Sequence, residues 1–569
     1  MNSITRREIL RRLAGISVLG GAATAMRAVI GGGGNPEAKS NTATQLARSS
    51  TTASLRGSTS TSMDHAHHAA ETSAASIQTT AASTSSPSTS SPSTTGATPA
   101  AETTTTSAAP RVAVGTSELL GVLGPTTIAA GSVATIVGDI DLRGDLVVEG
   151  VLTSVDSFTL RGNGYQIEVR HGGQLDLRGI PKSGWVRGVG ASGWQMGDRI
   201  FTSPVEGGRY GLSDFYSGSP GVVNLADGRT IAAEQFNLTR SITIDNVSRI
   251  MFHMGAGRQV LKHIAVTNSG VSGKLAFYPI HFHLNGDTSR GSIVEGVVVE
   301  NGRFHAFVPH ASHGITFLDC VAFNTSGGAY WWDPPSGSGD TSSDTHDTVW
   351  QHCLAAYVTA PEVKRTAAFL LGRGFGNRCV DCTAVAVQGG PQTSGFHWPE
   401  KSAAVWEFRG CVAHNNESTG IFTWQNNLEV HVIDDFIAYR VGNAGIDHGA
   451  YSNNYFYRNA VVTDAEWALK QTAVSRDATS LVFQGILSNS RLAVVGHQSQ
   501  QLLPVFYRSC QFSGVTYAEL GNSGSSYNVY EDCGFTPAHF DLAGIKPTSV
   551  VEIKQGGVLI HRWAGGSWS

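Results

Sequence analysis

Leu318-Asp319-Cys320-Val321-Ala322-Phe323-Asn324, Gln351-His352-Cys353-Leu354-Ala355-Ala356-Tyr357, Val380-Asp381-Cys382-Thr383-Ala384-Val385-Ala386 and Arg409-Gly410-Cys411-Val412-Ala413-His414-Asn415 are one pattern written four times. The pattern continues, with variation, at Asp435-Phe436-Ile437-Ala438-Tyr439 and Arg458-Asn459-Ala460-Val461-Val462. It returns in Tyr507-Arg508-Ser509-Cys510 and Tyr530-Glu531-Asp532-Cys533, so one local sequence recurs every 23 to 33 residues. A period of that length with short apolar runs predicts a solenoid in which each repeat stacks on the last. The β-rich character of the runs predicts an all-β chain, a right-handed parallel β-helix, whose equivalent residues form ladders at the inter-strand spacing. Cys320, Cys353, Cys382 and Cys411 are then expected in one internal column, acting as small apolar groups. Asn268, Asn301, Asn324 and Asn415 follow the apolar segments, as an asparagine turn ladder would. Disulfides between coils stay open at this level, though seven cysteines leave at least one unpaired. Cys379-x-x-Cys382 has no second pair of its kind and reads as structural.

The rest of the 569 residues sorts by composition. Arg6-Arg7 precedes a modest apolar run that ends in Ala23-Thr24-Ala25, which resembles a twin-arginine export signal over 1–25. The run is short for a membrane span, and no transmembrane segment is expected in the mature chain. The expected location is outside the cytoplasm, secreted or held at the envelope of a bacterium. Residues 26–111 are Ser, Thr, Ala and Pro with few large apolar side chains; such a segment cannot offset its ordering entropy and is expected to be a disordered linker. A formal net charge of −4 offers no basic footprint for nucleic acid. Sixty-seven glycines and 15% charged residues suit many short strands joined by tight turns. Glycine-punctuated alternation over 112–200, as in Asp139-Ile140-Asp141-Leu142-Arg143-Gly144, predicts the first coils, followed by the main helix over 201–569. A monomer is expected.

Function concentrates in Tyr278-Pro279-Ile280-His281-Phe282-His283-Leu284-Asn285-Gly286-Asp287. Strand alternation sends Ile280 and Phe282 to one face and His281 with His283 to the other. His305, His310, His313 and then Asp333 beside Trp331 and Trp332 follow closely. Two strand registers are open, one setting His281 beside His305 and the other His283 beside His310. Either brings imidazoles of adjacent coils together. His281, His283, His310 and His313 are the candidate metal ligands, and neutral imidazoles suit zinc or a similar divalent transition metal. Twin-arginine export would let such a metal be acquired before translocation. Asp333, His310 and Asp287 are the candidate acid/base groups. Trp332, Tyr330, Trp398, Trp424 and Arg303 are candidates for contact with sugar, because aromatic faces stack on the apolar C–H faces of pyranoses.

Several segments, taken together, resemble the family of secreted and membrane-anchored cell-surface hyaluronidases. They are the glycine-punctuated strands of 121–188, Trp194-Gln195-Met196-Gly197-Asp198-Arg199-Ile200, Arg249-Ile250-Met251-Phe252-His253, Tyr278 to His283, His310-Ala311-Ser312-His313-Gly314, and Ala322 to Asp333. The resemblance implies a glycine-rich "G-eight" domain joined to a parallel β-helix, and action on a linear polysaccharide such as hyaluronan. This chain departs from the family pattern in carrying Gly327-Gly328 where a Gly-His pair is expected, and Asp333 where a glutamate is expected. Four readings follow. The first is metal-assisted glycosidic cleavage at the histidines. The second is metal-independent hydrolysis by Asp287, Asp333 or Asp447. The third is a lyase using Arg290, Arg303 or Arg373 to neutralise a uronate. The fourth is a carbohydrate-binding surface protein or adhesin without catalysis, on hyaluronan or on an envelope glycan.

Overall fold

The computed structural model describes residues 111–112, 115–332, 344–359, 366–391, 393–398, 405–423, 429–449, 454–474, 481–498, 504–519, 525–543 and 545–569. The expected signal and linker of 1–110 lie outside these residues. So do Asp333 and Trp424.

Each coil is three short strands. In one turn the chain runs through Ile264–Thr267, Ile280–Gly286 and Ile293–Glu295, then enters the next coil at Val298–Glu300. Strands equivalent to Ile280–Gly286 build a 16-stranded parallel sheet, here sheet I, and the other two positions build parallel ladders, sheets II and III. This is a parallel β-helix, and among the described residues there is no α-helix. Among the described residues no helix is long and apolar enough to cross a membrane.

The cysteine repeat does what its spacing predicts. Val321 pairs with Leu354, Leu354 with Thr383 and Thr383 with Val412, so the cysteines just before them stack in one column, all fully buried. Phe436, Ala460, Ile486 and Cys510 continue that column, which explains why the pattern loses its cysteine without losing its period. All seven cysteines are free thiols. The residue before the column turns the chain from sheet III to sheet II in a single left-handed step, as at Asp319, His352 and Asp381. The asparagine ladder makes the next bend: Asn268, Asn301, Asn324 and Asn415 all have φ near +50°. The Asn324 amide donates to Asn301 at 2.7 Å, and that of Asn301 to Asn268 at 3.1 Å.

The first coils include Val133–Leu142 and Gln174–Arg178. Before Ile242–Asp245 resumes the helix, the chain leaves it for an excursion. Trp185–Arg187, Glu234–Asn237 and Ile200–Thr202 form a small antiparallel sheet, with a hairpin of Val222–Asn224 and Thr230–Ala232. The excursion lies on the outer side of sheet II, where Trp185, Phe215 and Phe236 pack on Val298, Phe323, Leu354 and Val385. Further along, Val223, Leu225 and Ile231 meet Val412, Tyr439 and Val461. Sheet II is thus buried on both faces, which is why its strands read as unbroken apolar runs. Within the Trp-Gln-Met-Gly-Asp-Arg-Ile segment, Asp198 braces the excursion itself and Arg199 ties it to sheet II. Asp198 pairs with Lys182 at 2.6 Å, and Arg199 grips Glu300 with two bonds of 2.6 and 2.9 Å.

Candidate metal centre on the outer face of sheet I

Ile280 and Phe282 enter the core, so His281 and His283 face outward from sheet I. Of the two open registers the structure adopts the second: His283 lies opposite His310, and His281 opposite Val308. His281, His283 and His310 each offer a ring nitrogen within 4.8 Å of the others. The Nδ1 atoms of His283 and His310 are 3.2 Å apart. Two stacked backbone irregularities fix this arrangement. Leu284 and Ala311, each directly after a histidine of the group, have φ of +54° and +43°, and the strand register shifts between His283 and Gly286. Such left-handed steps at non-glycine residues are costly, and bulges re-aim the side chains beside them.

Facing outward does not leave the group exposed. His281 is fully buried, and His283 and His310 nearly so. Burial, reinforced by His283 and His310, pushes the His281 imidazole well below its ordinary pKa, so it is neutral, as a metal ligand must be. Its Nδ1 lies 3.3 Å from the carbonyl oxygen of Ala276, itself held at φ +63°. With Nδ1–H donating to that carbonyl, Nε2 carries the lone pair, and this Nε2 is buried without a hydrogen-bond partner. A ligating histidine is commonly oriented in this way, by a backbone carbonyl on its other nitrogen. Three clustered imidazoles, one of them neutral with an orphaned, buried nitrogen, fit a zinc-like ion.

Two further groups adjoin the trio and escaped the sequence reading. His253 continues the column of His283 and His310 into the preceding coil, its ring edge-on to that of His283 at 6.3 Å between centroids. Glu168 accepts from Arg249 at 2.8 Å and from Arg170 at 2.9 Å, and lies 3.4 Å from Nε2 of His253. The bond with His253, then those with the arginines, outweigh partial burial and hold its carboxyl down at about 2. The repeat itself carried the signal: Ile250-Met251-Phe252-His253 and Ile280-His281-Phe282-His283 occupy equivalent positions.

Other expected residues fall elsewhere. His313 is not in the trio; its ring packs on His346 at 4.6 Å, and its Nδ1 accepts from the His346 backbone N–H at 3.3 Å. Asp287 is exposed and bound to Arg290 at 2.6 Å. Arg303 is exposed at the asparagine turn, donating to Asn246 at 3.2 Å. Tyr330 points inward, stacked between Phe307 and Phe369 at 4.9 and 4.4 Å, and Trp398 is likewise a core ring, so neither faces a polymer. Trp332 is buried under Arg373. Trp331 is the ring that alternation turns outward. It is half-buried and stacked on His305 at 4.0 Å and 13°. The absent Gly-His pair has a steric reason here, because a Cβ on Gly328 would meet Cε3 of Trp331 at 2.5 Å.

Comparison with known proteins adds the following. The tailspike protein gp49 from Pseudomonas phage LKA1 is similar at 13% identity over 75% of each chain, with a TM-score of 0.30. A hyperthermoactive exopolygalacturonase from Thermotoga maritima is similar at 10% identity, over 75% of this chain and 86% of its own, with a TM-score of 0.25. No curated protein matches the chain at a significant level. Residues 246–335, the coils that carry His253, His281, His283 and His310, match the family model described as CEMIP beta-helix.

Proposed function

We propose that this protein binds a linear acidic or N-acetylated polysaccharide along sheet I and cleaves it at the His281–His283–His310 group with the help of a divalent metal. The observation that carries the reading is the convergence of three histidine nitrogens within 4.8 Å inside the segment that resembles the CEMIP β-helix. His281, His283 and His310 would hold the ion, which when bound supplies Lewis acidity at a glycosidic or water oxygen. The Ala276 carbonyl orients His281, and Glu168 holds the neighbouring His253. Asp333 is assigned to proton transfer; it stands three residues after Tyr330, as His310 stands three after Phe307, and Tyr330 pairs with Phe307. Export by the twin-arginine route would place this activity outside the cytoplasm.

The test incubates the protein with a panel of hyaluronan, chitin and envelope glycans, with and without chelator, beside Asp333→Asn. Fragments released by the parent chain, lost with chelator and lost in Asp333→Asn while polymer binding persists, are the expected result. Polymer bound by the parent chain with no fragment from any glycan would move the assignment to a non-catalytic carbohydrate-binding protein. An ultraviolet absorbance from a new unsaturated bond would move it to a lyase.

A further inference from the structure

The histidine trio sits directly before an interruption of sheet I. Between the pair His283–His310 and the pair Gly286–Ser312, two residues, Leu284 and Asn285, stand against one, Ala311. This is a bulge, and it begins at the residue after each of two histidines of the trio. The extra residue of a bulge loses its place in the ladder, and a buried backbone N–H needs a partner from somewhere else.

Here the partner is a side chain. The backbone N–H of Asn285 donates to Oγ of Ser312 at 3.2 Å, and the Ser312 hydroxyl donates to the carbonyl oxygen of His310 at 2.8 Å. One hydroxyl therefore joins the extra residue of the bulge to the backbone of a histidine of the trio. Asn285 also reaches the other way, its Nδ2 donating to the carbonyl oxygen of Phe252 in the preceding coil at 2.7 Å. Both side chains are buried, Ser312 completely. Oδ1 of Asn285 is buried without a partner, a cost that a merely space-filling side chain would not carry. The two residues thus tie the bulge to the coils on either side of it. Leu284 and Ala311, the left-handed steps that follow His283 and His310, lie inside this clamp.

An ion makes strict demands on such a backbone. Metal–nitrogen distances hold within about 0.2 Å, so a bulge free to relax toward regular pairing would turn a ring off the ion. We propose that Asn285 and Ser312 are positioning residues of the metal centre, holding the bulge that aims His283 and His310 at one ion. This rests on the metal-dependent function proposed above and adds to it the residues that set the affinity and geometry of the ion.

Cobalt(II) alone is the probe, titrated into the full chain after treatment with chelator and followed by its visible absorption, which reports the number and arrangement of ligands. The parent chain is expected to bind one equivalent. Ser312→Ala and Asn285→Leu should each weaken binding by roughly ten- to hundredfold and alter the visible bands. Cys411→Ala, a buried truncation in the column away from sheet I, should keep the parent affinity and spectrum whatever it costs in melting temperature. If Asn285→Leu does not fold, Ser312→Ala, which deletes a single oxygen, carries the test. Parent affinity and parent spectrum in Ser312→Ala, or an equal loss in Cys411→Ala, would overturn the positioning role and leave the proposed function standing. A parent chain that binds no cobalt(II) would overturn the metal centre, and the positioning role with it.

Discussion

His281, His283 and His310 are three imidazoles in a place where a polar side chain is expensive unless something compensates it. Two of them follow from the Ile-His-Phe-His alternation, and the third from choosing between two registers. Their burial does not follow, because alternation gives the direction of a side chain and not what packs around it. Glu168 and His253 were harder to find for a related reason. The excursion separates Gln174–Arg178 from Ile242–Asp245, so the coil of Glu168 and that of His253 look unrelated in sequence although Met251 pairs with Glu168. His283→Ala and His310→Ala, each removing one nitrogen of the trio, are expected to lower bound zinc from one equivalent to a small fraction, read by elemental analysis of the purified protein, with far-ultraviolet dichroism unchanged. Gly328→Ala belongs to the same scale. Its Cβ must displace the Trp331 ring, so it is expected to cost about 1–3 kcal/mol in denaturant unfolding and to change the tryptophan emission, whereas Gly121→Ala, with open space around the new Cβ but a φ of +76°, should cost about 1 kcal/mol through its backbone alone.

At the scale of elements, the excursion is clamped to sheet II by a buried carboxylate–histidine contact as well as by apolar packing. Glu234, on the strand Glu234–Asn237, meets Nε2 of His414 at 2.8 Å with both side chains fully buried, and accepts from Ser203 at 2.7 Å. Burial alone would raise the Glu234 carboxyl; His414, Arg187 and Ser203 outweigh it and bring it to about 2. A carboxylate depressed in the folded state stabilises that state fully above its unfolded value, and the contribution disappears as pH falls from the usual carboxylate range through about 2. The excursion is therefore expected to become protease-sensitive in that acid window before the coils unfold. Glu234→Gln should lose about 3 kcal/mol of stability at neutral pH, and with it most of that acid dependence. Identical acid sensitivity in the variant and the parent would remove Glu234 as the cause. Glycine-punctuated alternation predicts the first coils over 112–200 and the main helix over 201–569, and carries no sign of the excursion. Its strands carry the same glycine-punctuated alternation as the coils, and its apolar partners, such as Val385 and Tyr439, lie far along the chain.

The whole molecule was the most legible level, because a solenoid writes its geometry into sequence at a fixed period. The cysteine and asparagine recurrences located both bends of the coil, and even the loss of cysteine at Phe436 and Ala460 keeps the column apolar. Since the cysteines pack as buried thiols, reductant is expected to leave the melting temperature unchanged, and denatured protein should titrate seven thiols without prior reduction. What one period cannot write is chemistry: a histidine reads the same whether it binds an ion, braces a ring as His305 does, or fills a core as His448 does. One metal ion held between His281, His283 and His310 is the expectation from which the rest follows. Anomalous scattering from a zinc-equilibrated crystal, collected on both sides of the zinc absorption edge, reads this directly. A single strong peak is expected about 2.1 Å from a nitrogen of each of the three rings; no peak among them, or a peak held by other residues, would contradict the shared metal.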